Sequence, residues 1–131
     1  MSHNFASVFE TLRAILQKYA DTLTVTEDTP GHYCLSARVG PATLKAWGGK
    51  MKKPIIPVAW VQIGKTYVSY HLMCLYENGD LQDRMSKQLR THMQGKTCFN
   101  FKTVDEVLFR ELEQLTALGF AVFKKAGYIT V

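Results

Sequence analysis

The sequence predicts an α+β fold: a single domain over residues 1–131, built as a mainly antiparallel sheet of about five or six strands with helices packed on one face. Apolar residues recur at helical spacing near both ends of the chain. Between them they alternate with polar ones, and Gly, Pro and Asn-Gly-Asp breaks cut the alternating stretch into strands. There are no internal repeats and no low-complexity tract.

Phe5, Val8, Phe9, Leu12, Ile15, Leu16 and Tyr19 share one side of a first helix, with Ser2 or Asn4 as its expected cap. Leu23 and Val25 alternate with threonines in a strand that the turn "EDTPG" ends. A second strand runs from about Tyr33 to Val39, and Thr43 to Trp47 resumes an extended pattern. After a loop with Pro54 and Pro57, Val58 to Ile63 and Thr66 to Tyr76 flank a Gly64-Lys65 turn as a β-hairpin. Leu81, Met85, Leu89 and Met93 lie four apart and predict a short helix. "TCFNFK" adds a short strand. Thr103 with Glu106 predicts a capping box opening a last helix, whose apolar side is Val104, Leu108, Leu112, Leu115, Phe120, Val122 and Phe123. Lys124 and Lys125 suit the negative end of that helix, and Gly127 suits its termination.

A length of 131 residues buries a core without disulfide or metal support. Hydrophobic residues at 47% and charged ones at 21% are close to globular averages, which disfavours disordered and fibrous classes. The opening "MSHNFASVFE" has no uninterrupted apolar stretch of the signal-peptide kind, and no run is long enough to span a bilayer. The expected setting is the cytoplasm, with no membrane partner. Cys34, Cys74 and Cys98 are odd in number and lack a C-x-x-C pair, so they are expected reduced and mostly buried. The net charge of +5 is modest and partly concentrated in "GGKMKKP", which reads first as a solvated loop.

Alternation splits the hairpin into two faces. A two-residue turn at Gly64 and Lys65 sets Ile63 opposite Thr66, Val61 opposite Val68 and Trp60 opposite Ser69. Ala59, Val61, Ile63, Val68, Tyr70 and Leu72 then face the helices, and Val58, Trp60, Gln62, Tyr67, Ser69 and His71 face away. The preceding strands split likewise, with Leu35, Ala37, Leu44 and Ala46 against Cys34, Ser36, Arg38, Lys45 and Trp47. Each large aromatic buries roughly 150–250 Å², so several left bare together demand a cover. Three covers fit. Ile55 and Ile56 fold over the sheet within the Pro-bounded loop, a second copy forms a homodimer, or a ligand or partner binds there.

Chemistry-bearing constellations are sparse. Ser69 and His71 lie two apart on a strand, with Cα atoms roughly 6.5–7 Å apart, and no carboxylate on their face orients the imidazole. His3, His32, His71 and His92 fall on separate elements, without ligand spacing. "WGGKMKKP" lacks the spacing and the helix of a phosphate loop. Stacking on Trp47, Trp60 and Tyr67 beside Arg38 and Lys45 is the feature that would serve a single-stranded nucleic acid, which the modest charge disfavours.

The segments "WVQIGKTYVSYHLMCLY", "MQGKTCFNFKTVDEVLF" and "FKKAGYI" resemble the YdhG-like family of bacterial domains of unknown function. The resemblance covers most of the chain in element order. It rests on an aromatic hairpin strand and on a Gly-Lys-x-Cys-Phe-x-Phe strand before a capped helix. It implies a small cytoplasmic α+β domain with its sheet covered on one face, distantly similar to the iron chaperone frataxin. Frataxin carries an acidic ridge on its first helix, whereas this helix offers Glu10 and then Asp21, so no iron-binding residue carries over.

The leading expectation is a non-enzymatic binding module with no catalytic, cofactor or metal residues. Its open aromatic and basic face, comprising Arg38, Lys45, Trp47, Trp60, Gln62, Tyr67, Ser69 and His71, takes a small molecule or a protein. The alternatives are a frataxin-like iron chaperone and a single-stranded nucleic-acid binder.

Overall fold

The computed structural model describes residues 5–21, 23–38, 55–75, 83–95 and 97–126. Helix α1, Phe5–Gln17, buries Val8, Phe9, Leu12, Ile15 and Leu16, the stripe that a 3.6-residue period brings to one side. Strands β1 (Thr24–Thr29), β2 (His32–Arg38), β3 (Ile55–Ile63) and β4 (Val68–Leu72) follow, and a 3-10 turn, Met73–Leu75, ends the run. Then come a short helix α2 (Lys87–Arg90), strands β5 (Met93–Gln94) and β6 (Cys98–Phe101), and the long helix α3 (Glu106–Ala126). The strands form one six-stranded sheet in the order β1-β2-β3-β4-β6-β5. Every pairing is antiparallel. The protein is an α+β fold with its helices packed on the sheet.

The helical side of the sheet is a set of cross-strand ladders. Tyr33, Val61, Tyr70 and Phe99 stand opposite one another along four strands, as do Leu35, Ala59 and Leu72 along three. All of these are buried, together with the stripe of α1 and with Leu108, Phe109, Leu112, Leu115 and Phe120 of α3. Polar and aromatic contacts tie the layers at particular points. Thr116 donates to Leu112 O at 2.8 Å, so its oxygen is left to accept from the Tyr70 hydroxyl at 2.6 Å, with both side chains fully buried. Phe101 meets Phe109 edge-on at 4.8 Å, and Tyr19 meets Phe120 edge-on at 4.6 Å. Such pairs add to the area buried. At the β1 edge, Arg13 reaches Asp28 at 2.8 Å while its guanidinium lies 5.0 Å from the centre of the Tyr33 ring.

The hairpin register differs from the expected one. Ile63 pairs with Val68 and Trp60 with His71, so the turn has four residues, Gly64 to Tyr67. Gly64 N donates to Tyr67 O at 2.8 Å, and a Cβ at Gly64 would stand 3.0 Å from that oxygen, which favours glycine there. The slip is two residues, one full side-chain period, so it leaves the two faces unchanged.

Other expectations need correcting. Val58, which alternation assigns to the outer face, is fully buried in the core. Leu35 pairs with Ala59 while Ser36 pairs with Pro57, so Val58 is the extra residue of a β-bulge, which breaks the alternation locally. Pro57 sits beside this bulge, where a strand tolerates a missing N–H. Ile55 and Ile56 are strand residues paired with Arg38 and Ala37, not part of a flap folded over the sheet. The second hairpin strand is shorter than Thr66 to Tyr76, ending at Leu72. Met85 and Leu89 are buried and Met93 packs on the core, but α2 is one turn and Met93 lies in β5. Ser86 Oγ accepts from Leu89 N at 3.1 Å, and the Glu111 carboxylate accepts from both Ser86 N and Ser86 Oγ at 2.6 Å, which anchors this turn to α3. The cap of α3 is Asp105, whose carboxylate accepts from Leu108 N at 3.1 Å, rather than Thr103. Val104 and Val122, expected on the apolar side, are 41% and 36% exposed, and Phe109 takes a core position instead. Ser2, Asn4, residues 43–47, Leu81 and Gly127 lie outside the described residues.

Asp105→Ala should lower stability by about 1 kcal/mol, as loss of a helix cap does, while Thr103→Ala changes it by less than about 0.5 kcal/mol. Denaturant unfolding of the two variants checks the assignment. Thr116→Val should cost about 1–2 kcal/mol. Combining it with Tyr70→Phe in a double-mutant cycle should show coupling, whereas additive losses would contradict the hydroxyl pair.

Candidate functional site: the outer sheet face

The face turned away from the helices consists of two ladders of side chains. His32, Gln62, Ser69 and Asn100 stand opposite one another across β2, β3, β4 and β6. Cys34, Trp60, His71 and Cys98 form the next row, which Gln94 of β5 extends. Tyr67 closes the end of the hairpin turn, its hydroxyl donating to Gln94 Oε1 at 3.3 Å. Asn100 Nδ2 donates to the same oxygen at 2.8 Å. Alternation aims these side chains outward: Val61, Tyr70 and Phe99 point into the core, so their strand neighbours point out.

Of the residues expected at a site, Trp60, Gln62, Ser69 and His71 stand together on these two rows, and Tyr67 joins them through Gln94. Arg38 belongs to β2, with its side chain outside the described residues, and Lys45 and Trp47 lie wholly outside them. From β2 to β6 the two rows hold no lysine, arginine, aspartate or glutamate. Those rows are therefore aromatic and polar, and the basic residues expected beside them, Arg38 and Lys45, have no described side chain. The face is not bare. Trp60, Tyr67, Ser69, His71, Cys98 and Asn100 are half-buried, Gln62 and Gln94 are exposed, and Cys34 and Ser36 are 6% and 2% exposed.

His71 is the centre of the arrangement. Its ring stacks on the Trp60 indole with centroids 4.4 Å apart and planes inclined by 13°. On the other strand its Nε2 stands 3.7 Å from Cys98 Sγ. The Cys98 thiol donates to Asn100 Oδ1 at 3.4 Å. One thiol proton cannot serve two acceptors, so with Asn100 as its acceptor the sulfur accepts from His71 in the tautomer that carries the imidazole proton on Nε2. Burial lowers the His71 pKa below its ordinary value of 6.5, and His32 nearby lowers it further. Burial likewise raises Cys98 above its ordinary value, against an opposing hydrogen bond with Ser69. Both groups are thus neutral at pH 7.

Cys98, Asn100, Gln94 and His32 stand on this face although the sequence does not single them out for it. The alternation of "TCFNF" already sends Cys98 and Asn100 opposite to Phe99 and Phe101. What it lacks is the strand order that lays β6 against β4. A cysteine, a histidine and an asparagine side by side invite comparison with a thiol nucleophile and its base. The geometry does not supply one. Asn100 engages the thiol rather than the imidazole, and a neutral pair has no thiolate, the form that attacks. His92 is structural: its Nδ1 lies 2.9 Å from Asn100 O, and its ring stacks on Phe101 at 4.7 Å.

Among the described residues no group of three or more His, Cys, Asp or Glu side chains is placed to hold a metal ion. No helix among them is long and apolar enough to cross a membrane. Compared with known proteins, the chain matches no protein-family model, no curated protein and no solved structure.

The depressed His71 pKa has a sign that can be measured. Folding disfavours the imidazolium, so the unfolded chain takes up its proton first as pH falls. His71 stabilises the fold in full above about pH 6.5, and that contribution fades as pH drops through the folded pKa. Unfolding titrations at about pH 7.5 and about pH 5.5 should show a larger acid loss in the natural protein than in His71→Gln. Equal losses would show that His71 is freely solvated.

Proposed function

We propose that this protein is a non-enzymatic binding module that uses the outer face of its sheet, with a neutral planar small molecule as the favoured ligand. The supporting observation is the Trp60–His71 stack, half-buried and flanked by hydroxyl and amide groups rather than by charges. A flat π-surface beside donors and acceptors is the composition of sites that orient planar ligands by a few polar contacts. Gln62 and Gln94 are exposed at its margins and offer such contacts. A protein side chain of the same shape is accommodated by the same chemistry, and a second copy of the chain is one such partner.

Four of the acidic residues are already engaged by other side chains, which counts against the iron-chaperone alternative. Glu10 and Asp28 both pair with Arg13, Glu113 pairs with Lys18, and Glu111 binds Ser86. The nucleic-acid alternative lacks phosphate-neutralising side chains on the described rows. Membership of the YdhG-like family and a cytoplasmic location complete the reading. The first is supported by the Cys-Phe-x-Phe end of the Gly-Lys-x-Cys-Phe-x-Phe segment, Cys98–Phe101, forming β6 before the capped α3, and the second by the free thiols of Cys34 and Cys98.

Screening neutral bicyclic heteroaromatics by NMR against the full chain tests the reading. Binders should shift the Trp60 indole and the amides of Ser69, His71 and Asn100. Trp60→Ala should weaken them by about tenfold or more while the circular dichroism spectrum is retained. If no compound moves those amides, or if Trp60→Ala binds as well as the natural chain, the planar-ligand site does not exist.

A further inference from the structure

We propose that Cys98 and His71 form a two-donor site for a soft monovalent metal ion of the copper(I) or silver(I) class, bound between Sγ and Nε2. The two side chains are opposed across β4 and β6, and their donor atoms already stand 3.7 Å apart. Bonds of about 2.3 Å to sulfur and about 2.0 Å to nitrogen, of the length zinc makes, span up to about 4.3 Å when collinear. The 3.7 Å separation is shorter than that span, so the near-linear arrangement that such ions take with two donors needs the Cys98 side chain to swing outward slightly, with both strands left in place. The Trp60 stack fixes the plane of the imidazole, and Asn100 Oδ1 lies 3.4 Å from the same sulfur as a further oxygen donor.

The class of ion follows from what the site has and lacks. Thiolate and imidazole are soft and intermediate donors, which favour thiophilic ions over oxygen-seeking ones. Structural zinc takes four protein ligands, and among the described residues no third His, Cys, Asp or Glu joins these two. Charge points the same way. A thiolate and a singly charged cation sum to zero, so binding adds no net charge between β4 and β6, where the rows supply no lysine or carboxylate to balance one. Binding breaks the S–H bond of Cys98, releases that proton to solvent and forms a sulfur–metal bond. His71 moves its own proton from Nε2 to Nδ1 and donates the Nε2 lone pair. No electron is transferred. Cys34, buried and contacting Ser36 Oγ at 3.7 Å, has no imidazole against its sulfur among these contacts. The site does not rest on the planar-ligand reading, because Cys98→Ser removes the ion's anionic donor and leaves the Trp60–His71 stack in place.

Silver(I), which is redox-inert here, is the probe, added to the reduced full-length chain without air. One equivalent should shift the His71 ring signals, quench Trp60 fluorescence and protect Cys98 from alkylation, as mapped by mass spectrometry. Cys98→Ser should abolish all three effects, and His71→Gln should weaken silver binding by about tenfold or more. The response of the His71 ring is read in the natural chain, so it stands even where a variant folds poorly. Silver taken up first at Cys34 or Cys74, an unmoved His71 ring, or full affinity in His71→Gln would each overturn the proposal, reducing the effect to capture by a thiol. Retention of planar-ligand binding in Cys98→Ser would separate this site from that one.

Discussion

Alternation along β3, β4 and β6 is the constraint on which the rest of the molecule depends. Val61, Tyr70 and Phe99 lie in one ladder beneath the helices, fully removed from water. Each strand residue beside them must therefore face the other way. Trp60, His71 and Cys98 are three of those neighbours, so the stack and the thiol contact follow from how the core is filled. Moving any of these strands by one residue would expose apolar side chains of the core and bury a polar group without a partner. Both changes are costly. The helices add a second lock through the hydroxyl pair of Tyr70 and Thr116, which fixes α3 over the middle of the sheet.

Half-burial sets the chemistry of the outer face. A fully solvated imidazole and thiol would titrate near their ordinary values, whereas here desolvation holds both in their neutral forms. That neutrality disfavours thiolate attack and contacts with anions, and it favours planar, uncharged ligands. It also leaves a proton on sulfur that a thiophilic ion can displace. The ion pairs of the described structure are elsewhere, in Lys18 with Glu113 and in the Arg13 cluster at the β1 edge. Such exposed pairs contribute little to stability, so hydrophobic burial on the helical side carries most of it.

The division into two faces was legible from the chain because a two-residue period survives a two-residue error. The turn at Gly64 is longer than a Gly-Lys reading allows, yet the faces of β3 and β4 are those that alternation assigns. Val58 shows where this robustness ends. A bulge shifts the count by one, and no local pattern marked it apart from the neighbouring Pro57. The cap of α3 failed for a similar reason. Thr103 and Asp105 are both good capping residues, and the docking of Leu108 and Phe109 in the core selects Asp105.

Periodicity by itself determined the two long helices, the apolar stripe of α1, and the separation of Trp60, Gln62, Ser69 and His71 from the core residues between them. These are properties of one strand or helix at a time, set by backbone geometry that every chain shares. Tertiary structure alone decided that β6 inserts between β4 and β5, and with it that Cys98 meets His71. Strand order is chosen by which surfaces bury the most apolar area together, a sum over residues far apart in the chain. A site assembled across that order can therefore be seen only once the strands lie side by side.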